Sequence, residues 1–107
     1  MTVRSISTAP DALRRVRRDP RFRSALEAEP SAGANWRDRA ACLHLDPEVF
    51  FPTAAEDPSP AVAVCTRCPV QGQCLAAALV TGECDGVWGA TVPDERRMMR
   101  QAWTRSR

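Results

Sequence analysis

Five cysteines are the residues of this chain best suited to chemistry. Cys42, Cys65, Cys68 and Cys74 follow the pattern C-x22-C-x2-C-x5-C, with Cys84 beyond them. The segment Cys65-Thr66-Arg67-Cys68 fixes two thiolates on one turn, near enough to serve one metal centre. Pro69 redirects the chain so that Cys74 can return on the next helix, while Cys42 must arrive from a distant segment. Four thiolates from three segments can fill the ligand set of a cubane iron-sulfur cluster or of a tetrahedral zinc. The spacing favours the cluster, because structural zinc usually draws on two short Cys or His knuckles and only one short pair exists here; zinc stays open. His44, two residues from Cys42, reads as a capping or solvent-facing side chain. An odd number of cysteines argues against a fully paired disulfide scaffold, and Cys84 reads as a free thiol.

Short helices must position these thiols. Asp19-Pro20, Asp46-Pro47 and Ser59-Pro60 each set a capping side chain before a proline suited to the first helical turn. They predict a helix ending near Arg18, another starting at Pro20, and short helices over 47–50 and 60–67. A longer helix is expected over 70–80, where Leu75, Ala78 and Leu79 recur at helical spacing with Cys74, and Gly82 stops it. In Asp85-Gly86-Val87-Trp88-Gly89-Ala90, two glycines bracket an apolar pair. That pattern reads as a tight turn presenting Val87 and Trp88 at its tip. Thr91 to Asp94 matches a capping box opening a last helix through Met98, Met99 and Trp103. The fold class is all-α, a small bundle of about four to five short helices with a Gly-Trp β-turn before the last.

Composition limits what the helices can bury. The chain has 107 residues, one domain's worth, and Leu, Ile, Val and Phe number only 19. Seventeen alanines inflate its apolar fraction, so a staple is expected: a disulfide, a metal or a partner. No apolar run approaches a membrane span and the first ten residues lack a secretory h-region. The protein is therefore expected in the cytoplasm, where clustered thiols are more often metal-binding or catalytic than disulfide-bonded. Residues 1–34 carry seven Arg against four acids, 35–90 three against seven, and 91–107 five against two. Three regions follow: a basic, partly helical N-terminal arm (1–34) set apart by a Pro30–Ala34 linker, a cysteine-bearing domain (35–90), and a basic C-terminal helix and tail (91–107).

Four blocks in order carry a resemblance: Trp36-Arg37-Asp38-Arg39-Ala40-Ala41-Cys42, Asp46-Pro47-Glu48-Val49-Phe50-Phe51-Pro52, Cys65-x2-Cys68-Pro69-Val70-x3-Cys74-Leu75 and Gly86-Val87-Trp88-Gly89. Together they closely resemble the WhiB-like family of actinobacterial and actinophage regulators, over about residues 35–97. The resemblance implies that Cys42, Cys65, Cys68 and Cys74 hold a 4Fe-4S cluster sensitive to oxygen and nitric oxide, around which the helices pack. It implies binding to region 4 of the principal sigma factor, within RNA polymerase holoenzyme, through the Val87-Trp88 turn. It assigns promoter DNA to the basic residues after that turn: Arg96, Arg97, Arg100, Arg105 and Arg107. Ala90 stands where the family usually has a second glycine, so a positive φ there would strain the turn. The tail carries no Arg-Gly-Arg, and the free protein, a monomer by expectation, should bind DNA weakly.

Blander readings stand beside these. The cysteines could be a passive staple, Trp88 could fold inward against Leu75 and Leu79, and the C-terminal arginines could form a solvated face. Trp36, Phe50 and Phe51 read as packing around the cluster. The run Arg14-Arg15-Val16-Arg17-Arg18 could add to a phosphate surface. The expected function is a redox- or nitric-oxide-responsive transcriptional regulator and not an enzyme. Its rivals are an apo-form thiol-disulfide oxidoreductase using Cys65 and Cys68, where freed thiols would pair, and a zinc-stapled interaction module. Against the oxidoreductase, the chain lacks the βαβ pattern that sets a redox CxxC at a helix start.

Overall fold

The computed structural model describes residues 4–28 and 35–106, with side chains over 11–28 and 35–105. Helix α1 (Arg4–Arg18) is followed at once by α2 (Pro20–Glu27), whose N-cap Asp19 accepts from the Arg21 amide at 2.9 Å. Two single-turn 3-10 segments, Trp36–Arg39 and Pro47–Phe50, precede α3 (Ser59–Thr66), α4 (Gln71–Thr81) and α5 (Pro93–Ser106). Among the described residues there is no strand beyond one isolated bridge, Trp88 to Thr91. The fold is all-α, and none of its described helices is long and apolar enough to cross a membrane.

Two helix starts differ in detail from the sequence expectation. At α3 the N-cap is Pro58, which makes no side-chain cap bond, and Ser59 is the first helical residue; the Asp57 carboxylate, just before the cap, accepts from the Ser59 amide at 3.0 Å. At α5 the capping box is displaced by one residue. Glu95 reaches back to the Val92 amide at 3.0 Å, while Thr91 turns its hydroxyl to the Trp88 carbonyl at 2.6 Å. Pro93 occupies the first helical position, where a missing N–H costs nothing.

The N-terminal segment is not a separate arm, which corrects the sequence expectation. Leu13, Phe22 and Ala25 are buried with Leu75, Leu79, Met99, Ala102 and Trp103, forming the main core. Phe22 meets Trp103 edge-on, ring centroids 6.4 Å apart, a geometry aromatic quadrupoles favour. α2 lies close against α4 because Gly72 has no side chain: a Cβ there would sit 2.7 Å from the Ser24 carbonyl oxygen. A second, smaller cluster gathers Phe50, Ala61, Cys65, Val87 and Ala90, with Cys42 and Val64 packed against it. The apolar side chains are thus divided between a helical core free of cysteine and a cysteine-bearing one.

Candidate metal centre

Three chain segments bring thiols to the second cluster. Cys42 lies in the turn after the first 3-10 segment, where the Leu45 amide donates to its carbonyl at 3.0 Å. Cys65 lies in the last turn of α3, and the Cys68 amide donates to the Cys65 carbonyl at 3.0 Å, turning the chain toward α4. Cys74 occupies the first turn of α4, its amide donating to the Val70 carbonyl at 2.9 Å. All four cysteines line one cavity of about 500 Å³, walled by Trp36, Leu43, Leu45, Phe50, Phe51, Val64, Val87 and Trp88. Cys84 lies outside this lining, exposed, its thiol donating to the Gly82 carbonyl at 3.3 Å. His44 is exposed and also outside it.

Backbone amides turn toward the sulfurs. Ala41 N–H donates to Cys68 Sγ at 3.4 Å, and the Gly89 and Ala90 amides face Cys65, with Gly89 also facing Cys74. Burial pushes the Cys65 thiol up, and pushes that of Cys74 up to about 12; in both cases the neighbouring sulfurs add to the rise and the amides oppose it. The set of four sulfurs, with no carboxylate or imidazole in the lining, suits a soft transition metal and not calcium or magnesium. Among the described residues no three His, Cys, Asp or Glu side chains are placed to hold a single metal ion.

The amides are aimed by a turn that differs from the sequence reading. Trp88 and Thr91 exchange both backbone hydrogen bonds, at 3.1 and 2.9 Å, so the reversal is the pair Gly89-Ala90. Both have positive φ, 57° and 68°, the pattern of a two-residue type I′ hairpin turn. Val87 is therefore not at a tip. It is 6% exposed, its amide donating to the Phe50 carbonyl at 2.7 Å, and its side chain joins the second cluster. Trp88 is half-buried at the cavity wall. Gln71, which nothing in the sequence singled out, fixes the turn by donating to the Gly89 carbonyl at 3.1 Å. A Cβ on Gly89 would lie 2.6 Å from Leu75 Cβ, so the turn packs directly on α4.

The family model described as Transcription factor WhiB matches residues 36–99, more than half of the chain. The chain belongs to the WhiB family. Transcriptional regulator WhiB1 of Mycobacterium tuberculosis (strain CDC 1551 / Oshkosh) is 42% identical over 78 residues, covering 68% of this chain and 93% of that protein. Transcriptional regulator WhiB1 of Bifidobacterium longum is 42% identical over 82 residues, covering 72% and 89%. Transcriptional regulator WhiB of Streptomyces coelicolor is 40% identical over 67 residues, covering 63% and 77%. The WhiB match takes in all four cavity cysteines and the Gly89-Ala90 turn, and leaves α1 and α2 outside.

The basic residues of this WhiB chain divide into different environments. Arg96 does not belong to a solvent-facing set: it is 2% exposed and donates to the carbonyls of Glu83, Asp85, Gly86 and Thr91 and to the Thr91 hydroxyl, at 2.8 to 3.3 Å. Burial pulls its pKa below the ordinary value. Arg97, Arg100 and Arg105 are exposed on α5, Arg97 pairing with Asp94 at 3.1 Å. Arg107 lies outside the described residues. Phe51, expected as packing, is 52% exposed, whereas Phe50 is buried. Neither cysteine of the CxxC pair sits at a helix N-terminus, and Cys65 is pushed toward the neutral thiol, which is the wrong direction for a nucleophile.

Proposed function

We propose that this chain is a 4Fe-4S-binding transcriptional regulator, responsive to redox state or nitric oxide, that acts through region 4 of the principal sigma factor and promoter DNA. The observation supporting this most strongly is the meeting of four thiols from three segments at one apolar cavity of about 500 Å³. Cys42, Cys65, Cys68 and Cys74 would hold the group, which when bound supplies electron-transfer chemistry and reactivity toward oxidants and nitric oxide. The amides of Ala41, Gly89 and Ala90 offset charge on the thiolates, and the surrounding apolar side chains limit water.

The partner surface follows from what the cavity leaves open. Leu43, Leu45 and Phe51 are 48%, 44% and 52% exposed at its wall, beside Trp88. Exposed apolar side chains grouped in this way mark an interaction surface, with Trp88 as its anchor. Promoter contact rests on Arg97, Arg100, Arg105 and Arg107. Co-expression with sigma region 4 tests the reading: anaerobically purified Trp88→Ala should keep its visible absorbance and lose at least about tenfold in sigma affinity. Loss of colour together with binding would make Trp88 packing, and full binding would remove it from the interface.

A further inference from the structure

We infer that Arg21 is a positioning residue of the thiol site, holding the left-handed Ala90 peptide, and with it the turn beside Cys65, from the N-terminal helix pair. The inference rests on the proposed metal-binding role of the four cysteines, and it concerns how this chain keeps their surroundings in shape.

Ala90 is the non-glycine residue with positive φ among the described residues, at 68°. An L side chain resists that conformation, and such strain persists only where neighbours over-determine it. Arg21 is the neighbour. Its Nη1 donates to the Ala90 carbonyl at 2.7 Å and to Glu95 at 3.1 Å, and its Nη2 donates to Glu95 at 3.0 Å. Asp19 holds the other edge of the guanidinium, accepting from Nε at 3.0 Å and from Nη2 at 2.6 Å. Glu95 in turn accepts from the Val92 amide at 3.0 Å, just past the turn. One guanidinium therefore grips the turn's carbonyl and the carboxylate that caps the following helix, while its own helix is anchored in the main core through Phe22 and Ala25.

Two features of this chain complement each other. Ala90 stresses the turn, and α2, which lies outside the WhiB match, holds the peptide against that strain. With the Ala90 carbonyl held, its N–H stays turned toward Cys65. Released, the alanine would relax to negative φ and withdraw that amide.

A four-protein cycle tests this: wild type, Arg21→Met, Ala90→Gly and the double variant, each purified anaerobically at full length. The rate of visible-absorbance decay in air and the thermal midpoint are read on the same samples. Arg21→Met should speed decay about tenfold and lower the midpoint. Ala90→Gly, which needs no support at positive φ, should abolish most of both effects in the double variant. An equal Arg21→Met penalty in both backgrounds would overturn the proposal, since an arginine that only ties helices together gains nothing from glycine at position 90. If Arg21→Met does not fold, a folded double variant supports the clamp and an unfolded one overturns it. Colourless wild type would defeat the iron-sulfur reading, and the thermal cycle would still decide the clamp.

Discussion

Arg96 shows how far a side chain's role depends on what its sequence neighbours do. It looks like one more cation on a basic helix, yet it ties the loop from Glu83 to Thr91 onto α5 through four carbonyls and one hydroxyl. Arg96→Met keeps the stem and strands those acceptors, so it should destabilise the protein by about 3 kcal/mol. Urea unfolding of Arg96→Met beside Arg97→Ala checks this: the first should lose that much and the second almost nothing, whereas equal midpoints would return Arg96 to the surface. Periodicity puts Arg96 and Arg100 on one side of the helix, but no local pattern tells which arginine a preceding loop will cover. The cysteines are easier to read, because ligand chemistry restricts residue type and spacing together. Val87 escapes the sequence reading for a different reason. Gly86 and Gly89 mark turns equally well, and an alanine at positive φ is rare enough that local pattern sets the reversal one pair too early.

At the level of elements, the helix starts are legible from Asp-Pro and Pro signals, with caps displaced by one residue at α3 and α5. The partnership of helices is not legible. Leu13, Phe22 and Ala25 are the apolar residues a short N-terminal segment has to bury, but sparse side chains among arginines do not name the surface that receives them. That surface is α4 and α5, and no cysteine is among the residues of the main core. Removing the proposed iron-sulfur group anaerobically with a chelator should loosen the molecule unequally. Backbone amides of α4 and α5 should keep much of their hydrogen-exchange protection, while those of residues 40–66 lose theirs. Uniform loss across the chain would show that the thiol site holds the main core as well.

Across the whole molecule, an apolar cavity wall and a basic helix give two surfaces of opposite character. Exposed Leu43, Leu45 and Phe51 suit a protein partner, and exposed Arg97, Arg100 and Arg105 suit phosphate. In the sigma-bound complex, replacing those three arginines by Gln should weaken promoter binding and flatten its salt dependence. The log-log slope should fall by about 0.9 for each phosphate no longer neutralised. A slope unchanged from wild type would make α5 a solvated face. Arg96→Met, by contrast, should leave the slope alone and act through stability.

The central claim is that Cys42, Cys65, Cys68 and Cys74 together hold one iron-sulfur group. Anaerobic purification followed by iron, zinc and acid-labile sulfide analysis, with the visible spectrum, tests it most directly. The wild type and Cys84→Ser should be brown with about four irons and four sulfides per chain, and Cys→Ser at any of the other four positions should lose the colour. A colourless wild type carrying one zinc per chain, or a Cys84→Ser variant that bleaches while one of the four keeps its cluster, would contradict the account.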